Sequence, residues 1–148
     1  MPRTVLVVVH LAVVATWVGS MTYSLGVVQP TVASFFPDEH RREEFLISLA
    51  HGNRWKVVRL VAVLLLTGIG VVGTSVGKPV MFGYLASWLL YATAAGIFVH
   101  VSWRHWPARV FALPHELAGF RRRLQAQAVT MLALVGTGFV VGLTMSVM

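Results

Sequence analysis

The sequence predicts an all-α integral membrane protein, an antiparallel bundle of four transmembrane helices. Three observations carry that prediction. The 148 residues are 57% hydrophobic and 11% charged, with a mean hydropathy of +0.76, whereas soluble domains are nearer half apolar and a quarter charged. Four segments, at 5–28, 57–76, 80–101 and 126–148, match the ~20 mostly apolar residues that a hydrocarbon core requires. None contains Asp, Glu or Lys, and Arg59 lies only in the first turn of the second. In lipid, backbone polar groups must pair within the segment, so helices are expected, and the alternation of a membrane β-barrel is absent. This composition also excludes a disordered chain. With no cysteine, disulfides, thiolate metal sites and thiol nucleophiles are excluded. At this length a single domain, 1–148, is the natural reading.

The first apolar run is about twice as long as the core of a signal peptide and is read as a retained span, although Ala33 and Ser34 supply small residues of the kind cleavage uses. After it, Pro37 and Asp38 mark a helix start, with Glu39, Glu43 and Glu44 early and Gly52 as a stop. Phe45, Leu46 and Leu49 give this short helix an apolar side suited to a membrane surface. Gly77, Lys78 and Pro79 form a tight turn that makes the second and third spans antiparallel neighbours. The third connection, Arg104 to Gln125, is broken by Pro107 and Pro114. Trp55, Trp103 and Trp106 gather at the same predicted interface, as aromatic belts do.

Charge sets the orientation. The first connection and adjoining helix start hold Arg41, Arg42, Arg54, Lys56 and Arg59, and the third connection holds Arg104, Arg109, Arg121, Arg122 and Arg123. Only Arg3 and Lys78 remain for the other side. Basic loops stay cytoplasmic, so connections one and three are expected inside and both termini outside, in a plasma (inner) membrane. The formal charge of +7 is thus a topology signal, and no nucleic-acid partner is expected. The expected surroundings are the lipid bilayer, with other membrane-protein subunits or a second copy as protein partners.

Packing between the spans should rest on small residues. Gly68, Gly70, Gly73 and Gly77 lie in or just after the second span, and Gly136, Gly138 and Gly142 in the fourth. The stretch Gly68 to Gly73 has dinucleotide-fingerprint spacing, but that motif needs a strand before it and a helix after it. Inside an apolar helix it reads as packing. Thr67 and Thr74, and likewise Thr130, Thr137 and Thr144, are seven apart. Each set shares a face and is expected to serve helix contacts.

Ionisable groups inside spans are functional candidates by default, and here they are His10 and His100. His10, Trp17 and Met21 form one stripe, with Ser24 close to it, that should face the bundle interior. His100 stacks over Gly96, Thr93 and Ala92. His10 and His100 are expected near opposite ends, separated by ~15 Å or more, too far for one metal. For His10 the nearest thioethers in depth are Met81 and Met145, or Met148, a set suited to Cu(I). For His100 the inner partners are His51 or His105, as candidate cofactor ligands. The bland reading of His10 is a hydrogen bond to a Thr or a backbone carbonyl. His51, His105 and His115 also suit headgroup anchors, and His40 with Glu44 a solvated pair. No Ser/His/acid or His/acid constellation suggests hydrolysis, and no embedded carboxylate relay suggests a proton-driven carrier.

The run from His10 through Trp17-Val-Gly19 to Tyr23, ending at Gln29-Pro30, resembles the first helix of the CopD-like (copper-resistance protein D) superfamily. The four-helix plan and the Arg121-Arg-Arg-Leu124 approach to a last apolar helix are similar too. The resemblance places the shared His on His10 and the shared Trp on Trp17. It implies copper handling, or haem b binding as in the membrane-bound protoporphyrinogen oxidases. Those oxidases follow the helical Pro with Arg, whereas Thr31 follows Pro30 here. The expected function is therefore copper or haem handling in the membrane, with copper at His10 ahead. The alternative is a non-catalytic accessory or assembly subunit of a larger membrane complex.

Overall fold

A computed structural model describes residues 2–105, 107–108 and 116–148. Trp106, Arg109, Pro114 and His115 lie outside the described residues. The elements are α1 (Pro2–Tyr23), a π-helical turn (Ser24–Val28), α2 (Gln29–Phe35), α3 (Glu39–Gly73), α4 (Met81–His100), a second π-helical turn (Val101–His105) and α5 (Leu117–Val147). Among the described residues there is no strand, and four helical runs are long and apolar enough to cross a membrane: Arg3–Phe35, Glu39–Gly73, Met81–His105 and Leu117–Val147.

All four runs overshoot the apolar segments at the end carrying the acidic residues, for separate reasons. The first passes through its π-helical turn into α2, where Pro30 sits in the first turn. Proline lacks an N–H and crowds the preceding turn, and the wider π turn before it absorbs both demands, so the helix continues to Phe35. The separate helix expected between Asp38 and Gly52 is instead the beginning of α3, one helix of 35 residues. An interior Gly costs a helix only about 1 kcal/mol, and without a proline nearby the ladder of hydrogen bonds continues through Gly52. Asp38 does start that helix, its carboxylate accepting from the His40 N–H at 3.0 Å. The third run continues past His100 to His105 through its own π turn. The last begins at Leu117, so Arg121–Arg123 lie within α5 and Arg121 reaches α3, pairing with Glu39 and standing 3.6 Å from Glu43.

Between α3 and α4 the chain turns as the sequence predicts. Gly77 takes φ +77°, a left-handed conformation suited to glycine, and Met81 N–H closes the turn on the Lys78 carbonyl at 3.1 Å. Trp55 and Trp103 meet edge to face at 6.4 Å, with the Arg54 guanidinium 5.4 Å over the Trp103 ring. His40 and Glu44 form an exposed pair at 3.3 Å.

The core draws on four helices: Val14 and Trp17 of α1, Val61 and Leu64 of α3, Tyr91, Ala94 and Ala95 of α4, and Met131 and Val135 of α5. Close approaches fall at three glycines, Gly68, Gly83 and Gly138, with Met145 of α5 lying against Gly83. A Cβ at Gly68 would lie 2.5 Å from Trp88 Cδ1, and one at Gly138 would lie 2.5 Å from Tyr91 Cε1. Gly68 is therefore a packing residue, as its context required. The glycine faces are not uniformly contacts, however, since a Cβ at Gly73 or Gly136 meets nothing within 4 Å. The threonine faces divide in the same way. Thr130 and Thr144 are exposed and return their hydroxyls to Ala126 and Val140 of their own helix, and Thr67 reaches another helix. Heptad spacing fixes a shared direction but not a neighbour in that direction.

Tyr91 is fully buried, so its ring has no room to retreat from an added methyl. Gly138→Ala is expected to destabilise the fold by about 1–3 kcal/mol, and Gly136→Ala to leave it unchanged or slightly more stable. Thermal melts of the two variants in one detergent check the contrast.

Candidate functional site

Along α1, His10, Val14, Trp17 and Met21 recur at helical spacing. The first three are buried, and Met21 packs against the core. The expected interior stripe is thus present, and His10, only 5% exposed, is its polar member. Its Nδ1 lies 2.9 Å from Thr67 Oγ1 of α3. Thr67 Oγ1 is in turn 2.8 Å from the Val63 carbonyl and 3.1 Å from that of Leu64. A threonine has one hydroxyl hydrogen, and here it goes to its own helix. Thr67 therefore accepts, and His10 Nδ1–H donates. In the neutral ring this tautomer leaves the lone pair on Nε2.

Around this bond three helices close together. The His10 ring meets Tyr91 of α4 edge on at 5.7 Å and lies over Gly68, where a Cβ would be 3.2 Å from His10 Cε1. Trp88 Nε1–H, from α4, donates to the Leu65 carbonyl of α3 at 3.1 Å. One turn of α3, Leu64 to Gly68, thus receives a polar contact from α1 and another from α4. Beside it, Ser87 donates to the Gly83 carbonyl at 3.0 Å. The buried Tyr91 hydroxyl has no hydrogen-bond partner among the described residues, and it points towards Gly142 of α5 near Ser87 Oγ. An unsatisfied buried hydroxyl costs about 1–3 kcal/mol, so this face of the cluster is the high-energy one.

The remaining candidates stand apart. Met145 packs its sulfur on Gly83, eight residues, or ~12 Å of helix, before the Tyr91 that His10 touches. Met81 is half-buried at the start of α4, and Met148 is exposed. None of the described contacts joins a methionine sulfur to the His10 ring. Nor is there any group of three or more His, Asp or Glu able to hold a metal among the described residues. His51 and His100 are both exposed and make no contact with each other. His100 lines a shallow depression of about 460 Å³ with Thr93, Gly96 and Thr130. His105 is buried, its Nε2 3.2 Å from the Phe120 carbonyl. The His10 ring is enclosed by Thr67, Gly68 and Tyr91.

Sequence reasoning singled out His10 and missed Trp88 and Tyr91. Nothing marks them out locally, because an aromatic residue in an apolar span reads as filler until its partner is known. The signal lay on the other helices, in Gly68 and Gly138, which leave room for those rings.

Removing the acceptor with Thr67→Val is expected to cost about 1 kcal/mol, the scale of interhelical hydrogen bonds in membranes. It should also release the tautomer: ring-nitrogen NMR shifts of His10 should show protonated Nδ1 in the parent and a mixture in the variant. Thr67→Val and His10→Ala should be non-additive in an unfolding titration, because they break one bond. Comparisons with protein-family models, curated proteins and solved structures found no match for the chain.

Proposed function

We propose that this chain is a CopD-like membrane protein, inserted as an antiparallel four-helix bundle, that handles copper through His10. Insertion is supported by the four apolar runs and by outward faces rich in Val5, Leu66, Phe82 and Val140, since helices apolar on all sides suit lipid. The antiparallel arrangement is supported by contact order. Leu6 lies against Gly70 and His10 against Gly68, so α1 and α3 run in opposite senses. The basic connections support both termini lying outside, with connections one and three cytoplasmic, in the plasma (inner) membrane.

The observation that carries the copper reading is the oriented imidazole. A metal-binding histidine typically donates its second ring N–H to a neighbour, which fixes the ring and raises the basicity of the other nitrogen. Thr67 serves His10 in that way, leaving Nε2 as a ligand of suitable softness for copper. One ligand implies a weak, exchangeable hold, consistent with passing an ion on and not storing it. The second reading, an accessory or assembly subunit, is favoured by a different observation. The histidine, Thr67 and Trp88 already tie α1, α3 and α4 together without any ligand.

Cu(I) competition against a chromophoric chelator separates the two readings. Copper handling predicts binding that His10→Ala abolishes and Thr67→Val weakens. Unchanged affinity in His10→Ala would sink it and leave the subunit reading. A Soret band that disappears in His10→Ala would transfer the role to haem. Orientation can be tested separately, because the chain has no cysteine. An impermeant maleimide should label Lys78→Cys on intact cells, and Ser48→Cys only after permeabilisation.

A further inference from the structure

The five acidic residues, Asp38, Glu39, Glu43, Glu44 and Glu116, all lie at the ends of α3 and α5 remote from Lys78. The opposite end of the helices has two cations and no Asp or Glu. Both of them, Arg3 in the first turn of α1 and Lys78 in the turn before α4, line one cavity of about 700 Å³. Its rim includes Tyr84 and Ser146, and its wall includes Val8 and Leu11. Neither cation is well satisfied. Among the described residues, Arg3 Nε is buried without a hydrogen-bond partner, and Lys78 Nζ reaches only the Thr74 carbonyl at 3.5 Å.

We propose that this cavity binds the headgroup of an anionic membrane lipid, its phosphodiester held between Arg3 and Lys78. Three features select that occupant. Two cations lining one cavity with no Asp or Glu beside them call for an anion, and a guanidinium fork with an ammonium suits phosphate oxygens. The wall below the cations is apolar, as acyl chains require. The depth is also right: α4, at 20 residues, is ~30 Å long and matches a hydrocarbon core, so the cavity at its start falls at headgroup level. A zwitterionic lipid would bring its own ammonium against Arg3 and Lys78. The lipid's negative charge is therefore the recognised feature.

This inference rests on membrane insertion and is independent of the copper reading. The test uses the full chain in phosphatidylcholine nanodiscs, with bimane on Ser146→Cys as the single label. Doped lipids carrying a nitroxide near the headgroup, either phosphatidylglycerol or phosphatidylcholine, act as quenchers. Phosphatidylglycerol is expected to quench at lower mole fraction. Arg3→Gln or Lys78→Gln should each weaken that preference about fivefold, the double variant should abolish it, and Lys78→Arg should retain it. Arg104→Gln with Arg123→Gln removes the same charge from exposed sites at the other end and should leave the preference intact. Neutralising Arg3 and Lys78 reinforces the loop charge asymmetry, so orientation is preserved. Equal quenching by the two lipids, or a preference that survives the double variant with an unchanged thermal melt, overturns the proposal. Reversal by millimolar inorganic phosphate assigns the site to free phosphate and overturns the lipid source. A chain recovered without detergent in the soluble fraction overturns the insertion reading as well.

Discussion

Between packed apolar helices a polar side chain must find its partner within the protein, and the placement of His10 follows from that requirement. An imidazole in the first helix has to meet a group that can take its N–H, and Thr67 can do so only because its own hydrogen is committed to the backbone of α3. That single bond sets how α1 lies against α3. The glycine at position 68 then admits the ring, Trp88 closes over the same turn from α4, and Tyr91 fills the space between histidine and α5. Apolar contacts alone would let such helices slide and rotate, since one aliphatic face packs much like another. The polar contacts choose among those arrangements.

The four apolar runs were legible because hydrocarbon thickness is a hard length and charged residues do not enter it. Positions such as Asp38 and Gly77 were legible for a local reason: a capping carboxylate and a left-handed glycine act within a few residues of themselves. Helix ends were less legible. Gly52 and Pro30 are weak breakers in a chain whose continuation keeps every backbone bond, and the π turn that rescues Pro30 has no sequence signature. At the site, the inward stripe of His10 and Trp17 could be read from period alone. Which hydroxyl would face the histidine could not, because Thr67, Thr130 and Thr144 look equivalent along their helices and differ only in what another helix brings to them.

The two ends of the molecule solve opposite electrostatic problems. Where α3 and α5 begin, arginines outnumber acids, and Arg41, Arg42 and Arg121 stand against Asp38, Glu39 and Glu43. At the other end two cations face a cavity that no Asp or Glu lines. Basic residues at the first end thus remain in excess of its acids, and the two cations at the far end have no Asp or Glu beside them.

Because α3 is uninterrupted from Glu39 to Gly73, it is about 52 Å long, well beyond the thickness of a hydrocarbon core. It behaves as a rod whose fulcrum is the turn around Thr67, ~42 Å from its Arg121-bound tip. A tilt of about 5° at that fulcrum displaces Glu39 by roughly 4 Å. Whatever tugs on the arginine-paired end is therefore transmitted, as leverage and without any intervening hinge, to the threonine that holds the histidine.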